Sequence, residues 1–232
     1  MTESEIKEIL RRELPRPRYL HSLGVQKAAV SLAGVYGADP EKASLAALIH
    51  DCAKNMDGRH LLKRAVEFDI LVDIVEKPLP DLLHGPVGAA LAQRKFGVED
   101  EEVLRAVRFH TTGVAGMSTL DKIIYLADYL EPGRDFPGVD RLRALAAVDL
   151  DEALLVAMEG TIRYVMGIRG MIHSRTIEAR NWLLVEIAAR SAERGKGKHA
   201  GDWRPVGRSF DRSDRAGTAP PVFAKEEKEE AD

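Results

Sequence analysis

One cysteine, Cys52, in 232 residues leaves no intramolecular disulfide framework and too few thiolates for a sulfur metal cage. Such cysteine usage fits a reducing compartment, and a cytoplasmic protein is expected. Neither charge is in excess: 34 basic against 37 acidic residues give a formal net charge of −3. That balance excludes a protein-wide attraction to a nucleic-acid polymer or an anionic membrane, so a polyanionic ligand must be held by a local cluster. No apolar run is long enough to span a bilayer, and residues 1–14 alternate charged with apolar side chains, so neither a targeting segment nor a membrane span is expected. Strand-like alternation of useful length and internal repeats are lacking too. What is present is 45% hydrophobic residues, enough for one substantial core. The expected organisation is one domain over 1–194 followed by a tail over 195–232.

Capping residues, prolines and glycines divide the chain into helices. Thr2 with Glu5 three residues later reads as a capping box, and Ile6, Ile9, Leu10 and Leu14 form the apolar stripe of a first helix stopped by Pro15 and Pro17. A second helix begins near Pro17, carries Leu20, Leu23, Ala28, Leu32 and Val35, and stops at Gly37. Asp39 and Pro40 open a third, whose small apolar face of Ala43, Ala46, Ala47 and Ile49 leads to His50 and Asp51. Further helices are predicted over 58–68, from His84 to near Gly97, over 100–109, from Ser118 to the break at Pro132, and over 150–166 and 175–194. The fold class is therefore all-α. From Gly195 the chain turns to glycine, basic residues and a charged end over 225–232, which cannot bury enough apolar surface to offset its ordering entropy. A flexible tail is expected there, with Trp203, Phe210 and Phe223 as the alternative of a docking motif.

Six residues carry the chemistry: His21, His50, Asp51, His84, His110 and Asp128. Imidazole and carboxylate hold zinc, iron, manganese or cobalt, and six donors exceed what one ion usually takes from a protein. A two-metal hydrolytic site follows, in which ions about 3.5–4 Å apart share a bridging hydroxide made at neutral pH. Phosphate esters and anhydrides suit such a site. All six donors fall at predicted helix ends or adjoining loops, from which side chains can converge while the helix bodies pack around them. Lys54 lies one turn beyond His50, Thr111 and the amide of Gly113 follow His110, and Arg134 follows Asp128 past Pro132. Each adds charge or a hydrogen-bond donor where a phosphate would sit.

The ordered set of His, His-Asp, His, His and Asp resembles the HD-domain metal phosphohydrolases. More narrowly, RYLHSLGV from Arg18, LIHDCAKN from Leu48, LLHGPVGA from Leu82, RFHTTG from Arg108 and YLADYLEPGRDFPGVD from Tyr125 resemble the bacterial YqeK family of symmetrical diadenosine tetraphosphate hydrolases. The resemblance spans about residues 4–190 and implies an HD-domain helical bundle. It implies that His21, His50, Asp51 and Asp128 hold one ion, that His84 and His110 complete a second, and that Asp51 bridges them. It implies iron, divalent or mixed-valence, where ligand type alone also admits manganese, cobalt or zinc. Asp51 and Lys54 take catalytic roles in this reading, while Lys54, Thr111 and Arg134 contact a dinucleoside tetraphosphate that is cleaved at a β-phosphorus to two ADP. Nothing in the residues sets that register. Tyr129, Phe136, Arg169 and His173 are candidates for the adenosine seat.

Two other functions fit the same pattern. One is a different HD-type phosphohydrolase, such as a nucleotidase, a deoxynucleotide triphosphohydrolase or a cyclic-dinucleotide phosphodiesterase. The other is a nucleotide-sensing module without turnover, against which the complete donor set argues. Neighbouring residues take ordinary roles: His60 and His199 as surface histidines, Asp121 as a cap, and Cys52 as a small core residue, while Arg18, three residues before His21, is within reach of the site but is read first as an exposed arginine at a helix start. Glu131 reads equally as a hydrogen-bond partner of a metal ligand or as a salt-bridge residue, and His173 as a cap or a nucleotide contact.

Overall fold

Local capping sets where helices begin and end in the computed structural model, which describes residues 1–194. In α1 (Glu3–Glu13) the Thr2 side chain accepts from the Glu5 amide and completes the capping box. Pro17 lies in the first turn of α2 (Arg16–Tyr36), which Gly37 ends in the left-handed region at φ 69°. Asp39 accepts from the amides of Glu41 and Lys42 at the start of α3 (Pro40–Ile49), and Asp57 caps α4 (Gly58–Glu67). A 3-10 turn, Pro80–Leu83, runs into α5 (His84–Phe96), and Asp100 caps α6 (Glu101–Phe109). Ser118 and Asp121 form the capping box of α7 (Thr119–Leu130). Then follow α8 (Val139–Ala146), α9 (Leu150–Gly167) and α10 (Ser174–Arg194). Each side-chain cap of this kind contributes about 0.5–2 kcal/mol.

The pattern of apolar residues did not predict α8. It starts at Gly138, φ 90°, with no side-chain cap and lasts two turns, so no local signal announces it. Its role is tertiary, because Arg143 donates to the carbonyls of Leu130, Glu131 and Arg134 at 2.9–3.1 Å and satisfies the loop that follows α7.

The core is built around α7, in which Ile123, Ile124, Tyr125, Leu126 and Ala127 are all fully buried. It packs against α2, α3, α6, α8 and α9, and burial of each large apolar side chain stabilises the fold by about 1.5–3 kcal/mol. Helices α2 and α3 pack against each other, and Ala29 and Ala33 of the first and Ala43, Ala46 and Ala47 of the second are inaccessible to solvent. Such small side chains let the two backbones approach closely, which sets His21 of α2 beside His50 at the end of α3. A smaller cluster of Ala53, Leu61, Ala65, Leu83 and Val87 seats α4 against the 3-10 turn and α5. Among the described residues there is no strand, and no helix is long and apolar enough to cross a membrane. The tail expected over 195–232 lies outside the described residues.

Candidate metal centre

Helix ends orient three of the four histidines. His50 and His110 are the residues that terminate α3 and α6, and His84 is the first residue of α5. In each, Nδ1 faces the carbonyl three residues back: Ala47 at 2.6 Å, Val107 at 2.7 Å, and Asp81 for His84. A carbonyl only accepts, so each Nδ1 carries the hydrogen and each Nε2 presents a lone pair. His21 is turned the same way by a carboxylate, with Nδ1 3.3 Å from Glu131 Oε1.

The four Nε2 atoms converge on Asp51, which the last turn of the α3 segment places among them. Asp51 Oδ2 lies 3.4 Å from His50 Nε2 and 3.8 Å from His21 Nε2. Oδ1 lies 3.3 Å from His84 Nε2 and 3.6 Å from His110 Nε2. One carboxylate oxygen thus serves each pair of histidines. Asp128, on the buried face of α7, brings Oδ1 to 3.1 Å from His21 Nε2. The donor atoms of His21, His50 and Asp51 lie within 4.8 Å of one another, and so do those of Asp51, His84 and His110.

This arrangement fits divalent metal ions. His84 Nε2 and His110 Nε2 stand 3.1 Å apart, and Thr111 Oγ1, 3.1 Å from both, can donate its single hydrogen to only one of them. Two facing lone pairs at that distance repel unless a cation lies against them. On the other side, His21 Nε2 and His50 Nε2 are buried without a hydrogen-bond partner. Buried nitrogen lone pairs facing carboxylate oxygens are a cation's ligand set rather than a hydrogen-bond network.

Proton affinities separate the two halves. Burial pushes His21 down, but the Asp128 and Glu131 carboxylates outweigh it and raise the imidazole to about 9, so at neutral pH and without a cation its Nε2 carries a proton toward Asp128, which a metal ion would displace to gain the lone pair. Burial, and then the Lys54 ammonium 3.5 Å from its ring, push His84 down to about 4. Burial also lowers His50. It acts to raise the carboxyls of Asp51 and Asp128, yet the surrounding histidines and, for Asp128, Arg134 hold both well below the usual carboxylate range. Both carboxylates are therefore anionic at neutral pH.

Two arginines border the donors. Arg134 donates to Asp128 Oδ1 at 2.6 Å and to the Asp128 carbonyl at 2.9 Å. Arg18, expected to be an exposed helix-start residue, is instead turned inward, with Nη1 2.7 Å from Asp51 Oδ2 and a side chain only 14% exposed. Its position three residues before His21 puts it on the same face of α2, which is the signal that locates it. Asp121 is a cap, as its spacing from Ser118 implies, and also pairs with Arg105 at 2.8 Å. Cys52 packs against the core with Sγ 3.5 Å from the Gly88 carbonyl, and burial raises its thiol to about 12. His60 is exposed and bonded to Asp57.

Several candidates for substrate contact are committed elsewhere. The Gly113 amide donates to the Phe109 carbonyl at 2.8 Å, so it is not a free donor. His173 uses both ring nitrogens, Nδ1 accepting from the Arg175 amide at 3.1 Å and Nε2 facing Glu76 Oε1 at 3.3 Å. It joins the start of α10 to the buried Glu76 of the loop after α4. Tyr129 is buried, stacked on Tyr125 and hydrogen-bonded to Thr161, which makes it a core residue. Arg169 is exposed at the end of α9 with φ 54°. Phe136 is half-buried against the main core.

A helical bundle with histidine and aspartate donors converging from its helix ends defines a class of metal-binding helical proteins. The HD domain family model matches residues 18–133, a span that holds all six donors. The symmetrical bis(5'-nucleosyl)-tetraphosphatase of Bacillus subtilis is 40% identical over 184 residues, 79% of this chain and 98% of that protein. The Staphylococcus aureus protein of the same name is 34% identical over 78% of this chain and 94% of its own length. A Clostridium acetobutylicum crystal structure, described as a predicted HD superfamily hydrolase involved in NAD metabolism, superposes with a TM-score of 0.79. It is 45% identical and covers 80% of this chain and 98% of that one. The chain belongs to the HD domain family.

Proposed function

We propose that this chain is a metal-dependent hydrolase that cleaves diadenosine tetraphosphate symmetrically into two molecules of ADP, with residues 1–194 as the catalytic unit. The observation that carries the reading is Asp51, whose two oxygens each face a separate pair of histidines. The near-full-length likeness to enzymes of that name supports the substrate. His21, His50, Asp51 and Asp128 would hold one ion, and His84 and His110 with Asp51 a second. Iron is the proposed metal, and manganese, cobalt and zinc suit the same donors. When bound, the ions supply Lewis-acid polarisation of phosphoryl oxygens and activation of water near neutral pH.

The chain's own residues bind and orient the polyphosphate. Lys54, half-buried beside His84, offers an ammonium to a phosphate oxygen at that half of the centre. Arg134, held by Asp128, offers a planar fork suited to two oxygens of one phosphate. The Thr111 hydroxyl, 3.1 Å from both His84 and His110 Nε2, would be free to give its one hydrogen to a phosphate oxygen once a cation takes those lone pairs. Phe136, two residues past Arg134, offers an apolar ring to a base. Water adds to one β-phosphorus, the central bridging oxygen leaves with the other half, and each half departs as ADP.

The test is chromatography of products from the full chain loaded with ferrous or manganous ion. ADP as sole product from diadenosine tetraphosphate is expected. ATP with AMP, orthophosphate released from mononucleotides, or turnover of NAD alone would refute the assignment.

A further inference from the structure

His21 differs from the other three histidines in what orients it. Their Nδ1 atoms face backbone carbonyls three residues back, so no side-chain substitution can remove the support. His21 lies inside α2, and its Nδ1 faces Glu131 Oε1 at 3.3 Å, a contact that spans 110 residues. Glu131 is buried, and its Oε2 accepts from the Gly133 amide at 2.6 Å. Two glycines make room for this carboxylate. A Cβ at Gly24 would stand 2.5 Å from Oε2, and one at Gly133 would stand 3.1 Å from both oxygens. Gly24 is three residues beyond His21 on the same helix face, so α2 presents a ligand and, one turn on, the gap that seats the ligand's partner. Arg143 of α8 holds the backbone on either side of Glu131 through the carbonyls of Leu130 and Glu131.

We propose that Glu131 is the positioning residue of the His21 half of the metal centre. It fixes the ring of His21 through Nδ1, so that Nε2 is presented to a cation, and it places a negative charge in that half alone. The two halves are thereby unequal. Around His21 and His50 stand Asp51, Asp128 and Glu131, with Arg18 paired to Asp51 at 2.7 Å and Arg134 lying 2.6 Å from Asp128 and 3.7 Å from Glu131, whereas His84 and His110 share only Asp51 and have the Lys54 cation nearby. The inference rests on the metal reading above but not on the identity of the substrate. Outer carboxylates that orient a ligating histidine typically account for a 10–100-fold difference in metal affinity.

The test is calorimetric titration of the full chain, stripped by chelation, with cobaltous ion, after circular dichroism has shown each variant folded. The expected result is two ions for the unaltered chain. Glu131→Ala weakens one of them by about 10–100-fold and leaves the other unchanged. Glu131→Gln, which keeps an acceptor oxygen without the charge, falls between. Gly24→Ala keeps Glu131 but displaces its carboxylate, weakens the same ion, and replaces the first variant if that one fails to fold. His21→Ala also weakens that ion, and adding Glu131→Ala to it has no further effect, because a partner that acts through His21 has nothing left to act on. Wild-type binding of both ions by Glu131→Ala and Gly24→Ala, a loss shared by both ions, or a loss that adds to that of His21→Ala would overturn the proposal. Metal titration is read without nucleotide, so its failure is distinct from failure of the product assay.

Discussion

Gly113→Ala separates two accounts of the loop after His110. If the glycine mattered for its amide, alanine would be neutral, because it keeps the N–H. The structure gives a different reason for glycine. Gly113 sits at φ +68°, where an L side chain costs about 1–2 kcal/mol. A Cβ there would also stand 2.6 Å from Met158 Cε and 3.0 Å from Ala179 Cβ. Met158 Cε ends a flexible side chain and must shift, while Ala179 Cβ is fixed to its backbone and cannot turn away, and overpacking of this kind costs about 1–3 kcal/mol. Together these predict a loss of about 2–5 kcal/mol. In a domain of this size that corresponds to a fall in Tm of about 4–20 °C, measured by scanning calorimetry.

A second substitution tests the steric part. Met158→Ala destabilises by itself through a cavity, but it removes the atom that the new Cβ meets. The double variant should therefore be more stable than the sum of the two single losses by about 0.5–3 kcal/mol. Gly113→Ala within about 0.5 kcal/mol of wild type, the range of an ordinary surface change, would refute the reasoning.

Asp51→Ala should lose both ions and hydrolysis together, read by elemental analysis and product assay, and two retained ions with near-full turnover would remove Asp51 from its role. Ions held by these donors would bind the folded chain and not the unfolded one, so adding metal to a chelated sample at 100 times its Kd should stabilise it by about 2.7 kcal/mol, and a Tm indifferent to metal would contradict the donor geometry. Burial raises the Glu76 carboxyl, but His173, the Asp73 amide and Arg175 outweigh it and hold the group below its ordinary 4.5. A depressed folded value means that this stability is complete above the unfolded value and is lost as pH falls through the folded one. Glu76→Gln should therefore cost about 1.5–3 kcal/mol in denaturant melts at neutral pH, with a difference that shrinks in acid. An equal difference at both pH values would exclude the charge as its cause.

Helix boundaries were legible where the signal is local. Thr2 with Glu5, Asp39 with Pro40, and Ser118 with Asp121 each satisfy amides within their own first turn, so their spacing alone places the helix starts. α8 was not legible, because its stability comes from Arg143 reaching carbonyls that lie 9 to 13 residues earlier in the chain. The same division holds at the centre. The six donors could be picked out by type and order, but which oxygen of Asp51 meets which histidine depends on how α2, α3, α5 and α6 pack. Arg18 reads from the sequence as exposed because an arginine at a helix start is ordinarily solvated, whereas in the fold its guanidinium turns to the buried Asp51 carboxylate. For His173 and Tyr129 residue type leaves the question open, since a ring nitrogen or hydroxyl is available to ligand only if the fold has not already used it.

That criterion also explains why the cluster is a site rather than a polar core. Five buried side-chain atoms among the described residues have no hydrogen-bond partner, and two of them are His21 Nε2 and His50 Nε2. The fold has the means to satisfy such atoms, as it does for Asp128 with Arg134 and for Glu131 with the Gly133 amide. It instead uses three carbonyls and one carboxylate to fix every Nδ1, which leaves every Nε2 facing the same aspartate. An arrangement that is locally unfavourable yet held by so many independent elements is stable only if the surrounding packing over-determines it, and the fully buried body of α7 supplies that packing. The two unpartnered nitrogens that share one aspartate, His21 Nε2 and His50 Nε2, therefore point to a cation, and the packing of the bundle around them is what holds them there.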